Sequence, residues 1–171
     1  MDHSRAVYKS GTALADAPRA AWLPILTNGW FIRAESFYSI ARYLDVAALD
    51  AHERPPDFLS HSHGEGFLRF FEERFRNRPL CLLDGPESAL STARQLEFMK
   101  FLRRVGESLG FQAIIATHSP LLMAYHGAKL MRIGKYALEP IRLEDTDHFN
   151  LLRDFCADPA SFIELALSEA S

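Results

Sequence analysis

The sequence is short of cysteine, of long apolar runs and of excess basic charge, and each shortage removes a class of protein. Cys81 and Cys156 are the two cysteines in 171 residues, and neither has metal-ligand spacing. A disulfide framework is therefore not expected, and a reducing, cytoplasmic setting fits. No apolar run approaches the roughly 20 residues that span a bilayer. Residues 1–5 have no apolar signal core behind them. The net charge of −3 gives no basic footprint for nucleic acid. Neither an internal repeat nor a low-complexity segment occurs.

What is present suits one α/β domain spanning residues 1–171. Residues 1–21 are weakly patterned, 22–145 carry the motifs, and 146–171 form C-terminal helices. Residues 30–33 suit a short strand. Phe37, Ile40, Ala41, Leu44 and Ala48 recur at helical spacing over residues 35–49. A loop through Pro55 and Pro56 leads to His61, Ser62, His63 and Gly64. A helix follows, with Phe67, Phe70, Phe71 and Phe75 on one face.

Leu80, Cys81, Leu82 and Leu83 make a continuous apolar run ending in Asp84. Such a run fits a parallel strand buried on both faces. Residues 92–109 form a second amphipathic helix, stopped by Gly110. Residues 111–117 read as another buried strand. This strand–helix–strand succession predicts a parallel pair with a right-handed crossover. Weaker strands near 128–133 and 137–143 precede helices near 146–156 and 159–168. No other strand buried in the sheet is expected before Leu80, so a strand beside that of Asp84 or His118 should lack a neighbour.

Asp84 and His118 close adjacent strands. Ligands of open α/β sheets sit beyond the carboxyl ends of the strands. An acid there can hold Mg²⁺, usually with water, and a histidine can donate to a phosphate oxygen. Taken singly, Asp84 also fits a strand-end cap, and His118 a satisfied structural histidine.

Three ordered motifs sharpen this. Leu82, Leu83 and Asp84, followed by Pro86, Glu87, Ser88, Ala89, Leu90 and Ser91, resemble the Walker B strand and D-loop of ATP-binding cassette ATPases. Ala116, Thr117, His118, Ser119 and Pro120 resemble their switch-histidine loop. Ser62, His63, Gly64 and Glu65 resemble the signature motif in the form used by the soluble, AAA-type branch. Residues 32–37 and 145–149 are similar to that branch too. The resemblance covers roughly residues 22–165. It implies a partial P-loop NTPase sheet of the ATP-binding cassette type with flanking helices, acting on ATP with Mg²⁺.

In such a member Asp84 holds the metal and His118 senses the γ-phosphate. Ser62, His63, Gly64 and Glu65 meet a partner's nucleotide from the start of a helix, where free N–H groups favour phosphate. A homodimer, or pairing with a P-loop-bearing partner, follows.

Two departures stand against the matches. No Gly-x-x-x-x-Gly-Lys-Ser/Thr occurs, so the cradle and lysine for the phosphates are missing. Gly85 occupies the position of the catalytic glutamate, and glycine cannot deprotonate water. Glu87 is a weak substitute. The expectation is an ATPase module that is the C-terminal part of its domain and inactive alone. The rival is a non-catalytic interaction module paired with a complete ATPase. A third reading builds a metal hydrolase on His61, His63 and His118 or Asp84. His3, His52, His126 and His148 read as surface residues.

Overall fold

The computed structural model describes residues 29–60, 62–75, 80–107 and 111–168, with the backbone alone at His63. Strand β1 (Gly29–Arg33) runs into a 3-10 turn, Ala34–Ser36, and helix α1 (Phe37–Asp50). Helix α2 (His63–Arg74) precedes strand β2 (Leu80–Asp84). A 3-10 turn, Pro86–Ala89, leads to helix α3 (Thr92–Gly106). Strand β3 (Gln112–Ala116) is followed by the single turn α4 (Pro120–Met123). Strands β4 (Met131–Ile133) and β5 (Leu138–Pro140) pair antiparallel, and helices α5 (Asp147–Ala157) and α6 (Pro159–Ser168) close the described chain. Among these residues no helix is long and apolar enough to cross a membrane. Gly110, the expected stop of α3, lies outside them.

The main sheet is parallel, in the order β1-β2-β3. The short strand expected over residues 30–33 is present as β1 and pairs with β2, so the Asp84 strand is central. The outer edges of β1 and of β3, the His118 strand, have no partner among the described residues.

Strands laid down in one direction with right-handed crossovers place all their helices on one face. The side chains agree. Ile32, Cys81 and Leu83 are at most 3% exposed and join one cluster with Phe37, Phe58, Phe67, Phe70, Phe71, Phe75 and Phe98. Phe71 meets Phe67, Phe75 and Phe98 at centroid distances of 4.6–5.2 Å, so its ring links α2 to α3. Such edge and offset contacts add about 0.5–1.5 kcal/mol per pair beyond area burial. The phenylalanine stripe is thus core, as its spacing predicts, and Glu72, Glu73 and Arg74 face outward.

Among the described residues nothing covers the opposite face of the sheet. Phe31, Leu82 and Ile114 form one row across the three strands. Phe31 is 61% and Ile114 56% exposed, and Leu82 is half-buried. This corrects two expectations: β2 is buried on one face rather than two, and β3 is not a buried strand. Their apolar residues are those of a sheet covered on both sides, but the described helices α1, α2 and α3 pack on only one.

Candidate functional site

Register sets the site. Arg33, Asp84 and Ala116 are aligned partners at the carboxyl ends of β1, β2 and β3. The chain leaves β2 through Gly85, whose φ of 60° and ψ of 45° are left-handed. Glycine takes this conformation without the Cβ penalty. The Gly85 N–H donates to Ala116 O at 2.9 Å, extending the β2–β3 ladder by one bond. Pro86 then opens the 3-10 turn, its fixed φ suiting the first helical position. Ser88 Oγ donates back to Gly85 O at 2.9 Å.

Glu87 ties this turn to the loop after β3. Its Oε2 accepts the Thr117 hydroxyl and its Oε1 the His118 backbone N–H, each at 2.7 Å. Thr117 Oγ1 in turn accepts the Ser119 N–H at 3.0 Å. Ser119 caps α4 and donates its hydroxyl to the buried Gln95 at 2.5 Å. Gln95 donates to Leu90 O at 3.2 Å, so the network returns to the turn where it began. Glu87 is therefore committed to holding the loop, and both oxygens are in use. That argues against it as a replacement base.

Asp84 carries an ion pair instead of standing alone: Arg33 Nε lies 2.8 Å from its Oδ2, with the side chains 57% and 43% exposed. An exposed pair of this kind is worth about 0–1 kcal/mol. Magnesium needs one or two carboxylates, several waters and substrate phosphates. Asp84 is reachable and its pairing is weak, so the residue suits that role. The third reading, a His/Asp metal centre, draws on His61, which lies outside the described residues. Among the described residues no group of three or more His, Cys, Asp or Glu is placed to hold a metal.

His118 has a partner that its sequence context does not announce. Its Nδ1 lies 3.1 Å from His148 Nε2, and the rings stack with centroids 5.0 Å apart. His148 is exposed, as read, but it belongs to the site.

The turn at residues 62–65 meets the end of the 3-10 turn at Ala89 and the start of α3 at Arg94. Ser62 is the N-cap of α2, and Glu65 Oε2 accepts its N–H at 3.3 Å. Glu65 also pairs with Arg94, which binds Glu97 at 2.6 Å. A Cβ on Gly64 would stand 3.4 Å from Ala89 O and 3.3 Å from Arg94 Cγ, so the helix start sits directly on the 3-10 turn. Nothing is described of the His63 side chain.

Two open clefts lie elsewhere. One of about 670 Å³ is lined by Asp45, Arg54, Asp57 and Arg69, among others. Another, of about 450 Å³, runs between α2 and α3 past Glu65, Glu72, Arg94 and Arg104. Neither is lined by Asp84, Glu87 or His118. In the second, Arg104 already pairs with Glu72 at 2.7 Å and Arg94 with two glutamates. Volume and chemistry thus point to different places. The strand ends, where a carboxylate, a histidine pair and left-handed backbone converge, are the better candidate.

No family model, no curated protein and no solved structure matches the chain.

Proposed function

We propose that the chain carries the Walker B and switch half of an ATP site of the ATP-binding cassette type. In this reading it engages ATP and Mg²⁺ only together with a phosphate loop that the sequence does not contain. The observation that carries the reading is the aligned end of β2 and β3, with Asp84 closing one strand and the Glu87-anchored His118 in the loop that follows the other. A carboxylate suited to Mg²⁺ and an imidazole suited to a phosphate oxygen then stand at the carboxyl ends of adjacent strands.

The roles follow from chemistry. Asp84, released from Arg33, holds the metal, which would supply charge neutralisation of the phosphates. His118 donates a hydrogen bond to an anionic oxygen. Ser62, Gly64 and Glu65, at the start of α2, belong to the surface that meets a partner's nucleotide, in a homodimer or in a pair with a P-loop-bearing chain. The uncovered row of Phe31, Leu82 and Ile114 supports such a partner, because it is apolar surface that a complete domain would bury. A cytoplasmic setting accompanies this reading.

One observation favours the rival, a non-catalytic interaction module. Gly85 stands in left-handed backbone where the general base of the family would be, and Glu87 is occupied. On this view the chain contributes surface and switch contacts to a complete ATPase and no turnover of its own.

Titration calorimetry with ATP·Mg²⁺ tests the main reading. The chain alone should bind on the order of millimolar or more weakly. A fusion that places a strand, phosphate loop and helix against the outer edge of β3 should bind at least about a hundredfold more tightly, a gain of roughly 2.7 kcal/mol. Micromolar binding by the chain alone, or no gain in a folded fusion, would remove it.

A further inference from the structure

We propose that His148, at the start of α5, is a positioning residue for His118. It holds the Nδ1 of that ring by a hydrogen bond, so that Nε2–H is the donor offered to an anionic ligand. The inference rests on the reading of His118 as the group that meets an anionic oxygen.

Both ends of the pair are fixed. The His118 backbone is gripped by Glu87 through its N–H at 2.7 Å. His148 is the second residue of α5, whose start is capped by Thr146, only 9% exposed. Thr146 Oγ1 donates to Leu143 O at 2.7 Å and accepts the Phe149 N–H at 3.4 Å. Arg142 braces the same turn with two bonds to Asp145, at 2.9 and 3.0 Å. The rings between these anchors are 27° from parallel, so neither can rotate without losing both the stack and the bond.

The proton count then decides what His118 offers. When both rings are neutral, one N–H lies between Nδ1 and Nε2. If His148 Nε2–H is the donor, His118 carries its own proton on Nε2. A proton added to the pair cannot go to Nδ1 of His118 while that atom accepts the shared N–H. It goes to Nδ1 of His148, and the shared proton can then pass to Nδ1 of His118, leaving His148 as its Nδ1–H tautomer. Either way Nε2–H of His118 stays in place, and α5 is coupled to the strand-end site. The charged groups on the elements that meet here are Asp84, Arg33 and Glu87 on one side and Arg142, Asp145 and Asp147 on the other.

Imidazole ¹⁵N correlation spectra of the full chain, without nucleotide and at one fixed alkaline pH, test this. The wild type should show His118 protonated at Nε2, with Nδ1 carrying the shift of a hydrogen-bonded acceptor. In His148→Phe the His118 Nδ1 resonance should move, with the backbone amides elsewhere unchanged. His148→Gln, whose side-chain amide can still donate to Nδ1, should restore the wild-type Nδ1 resonance. A His118 protonated at Nδ1 and bare at Nε2 in the wild type would overturn the proposal even if His148→Phe failed to fold. So would a His118 Nδ1 resonance indifferent to His148→Phe. Nucleotide takes no part, so failure here rejects the histidine pair, while failure of the ATP reading is seen only in the calorimetry.

Discussion

Glu87 Oε1 accepts the backbone N–H of His118 at 2.7 Å, across 31 residues of chain, while its other oxygen holds the Thr117 hydroxyl. The turn after β2 and the loop after β3 therefore move as one piece. Glu87→Ala should release the loop. The expected outcome is hydrogen exchange at the His118 amide at least about tenfold faster, and a loss of about 1–2 kcal/mol in urea unfolding. Glu87→Gln, which keeps an acceptor, should lose less. Unchanged exchange at His118 in Glu87→Ala would mean the clasp is not formed in solution.

Gly85 links sequence to chemistry through its backbone. A Cβ there meets no atom within 4 Å, so the obstacle to a side chain is the φ of 60°, not space. Left-handed backbone costs an L-residue roughly 1–2 kcal/mol. Gly85→Ala should therefore destabilise the chain by about 1 kcal/mol in chemical denaturation. In a fusion that supplies the phosphate loop, Gly85→Glu should raise turnover by roughly 10²–10⁴-fold, the contribution of a general base, despite that cost. An ordinary ATPase rate with Gly85 in place would show that this position does not limit turnover.

The two thiols report on the core independently. Cys81 sits in the central strand at 1% exposure, and burial pushes its thiol up to about 12, whereas Cys156 is exposed on α5. Since the thiolate is the nucleophile, a thiol reagent at pH 8 should modify one cysteine at once. The second should react only at the rate of global opening. Prompt modification of both would contradict the packing of β2 against the phenylalanine cluster.

The local patterns were legible in the sequence and the long-range partnerships were not. The spacing of Phe67, Phe70, Phe71 and Phe75 sets one face of α2, and the run from Leu80 to Leu83 ending in Asp84 sets a strand and its terminus. Both signals are local, and both match the structure. Arg33 on Asp84, Glu87 on Thr117 and His148 on His118 join residues 51, 30 and 30 positions apart. No periodicity encodes these pairs. Each arises from strand register and from the way α5 returns to the sheet. The exposure of Ile114 was illegible for a related reason. Its apolar neighbours suit a strand covered on both faces, and coverage is decided by where the crossovers run.

The roles proposed for Asp84 and His118 are tested most directly by mapping nucleotide onto the sheet. Backbone amide shifts would be followed as ATP·Mg²⁺ is added to the protein fused to a phosphate-loop segment. The largest changes are expected at Asp84, Gly85, Thr117 and His118, and Asp84→Asn and His118→Ala should each weaken binding severalfold or more. Shifts confined to the cleft of Asp45, Arg54, Asp57 and Arg69, with the strand ends unmoved, would contradict the assignment.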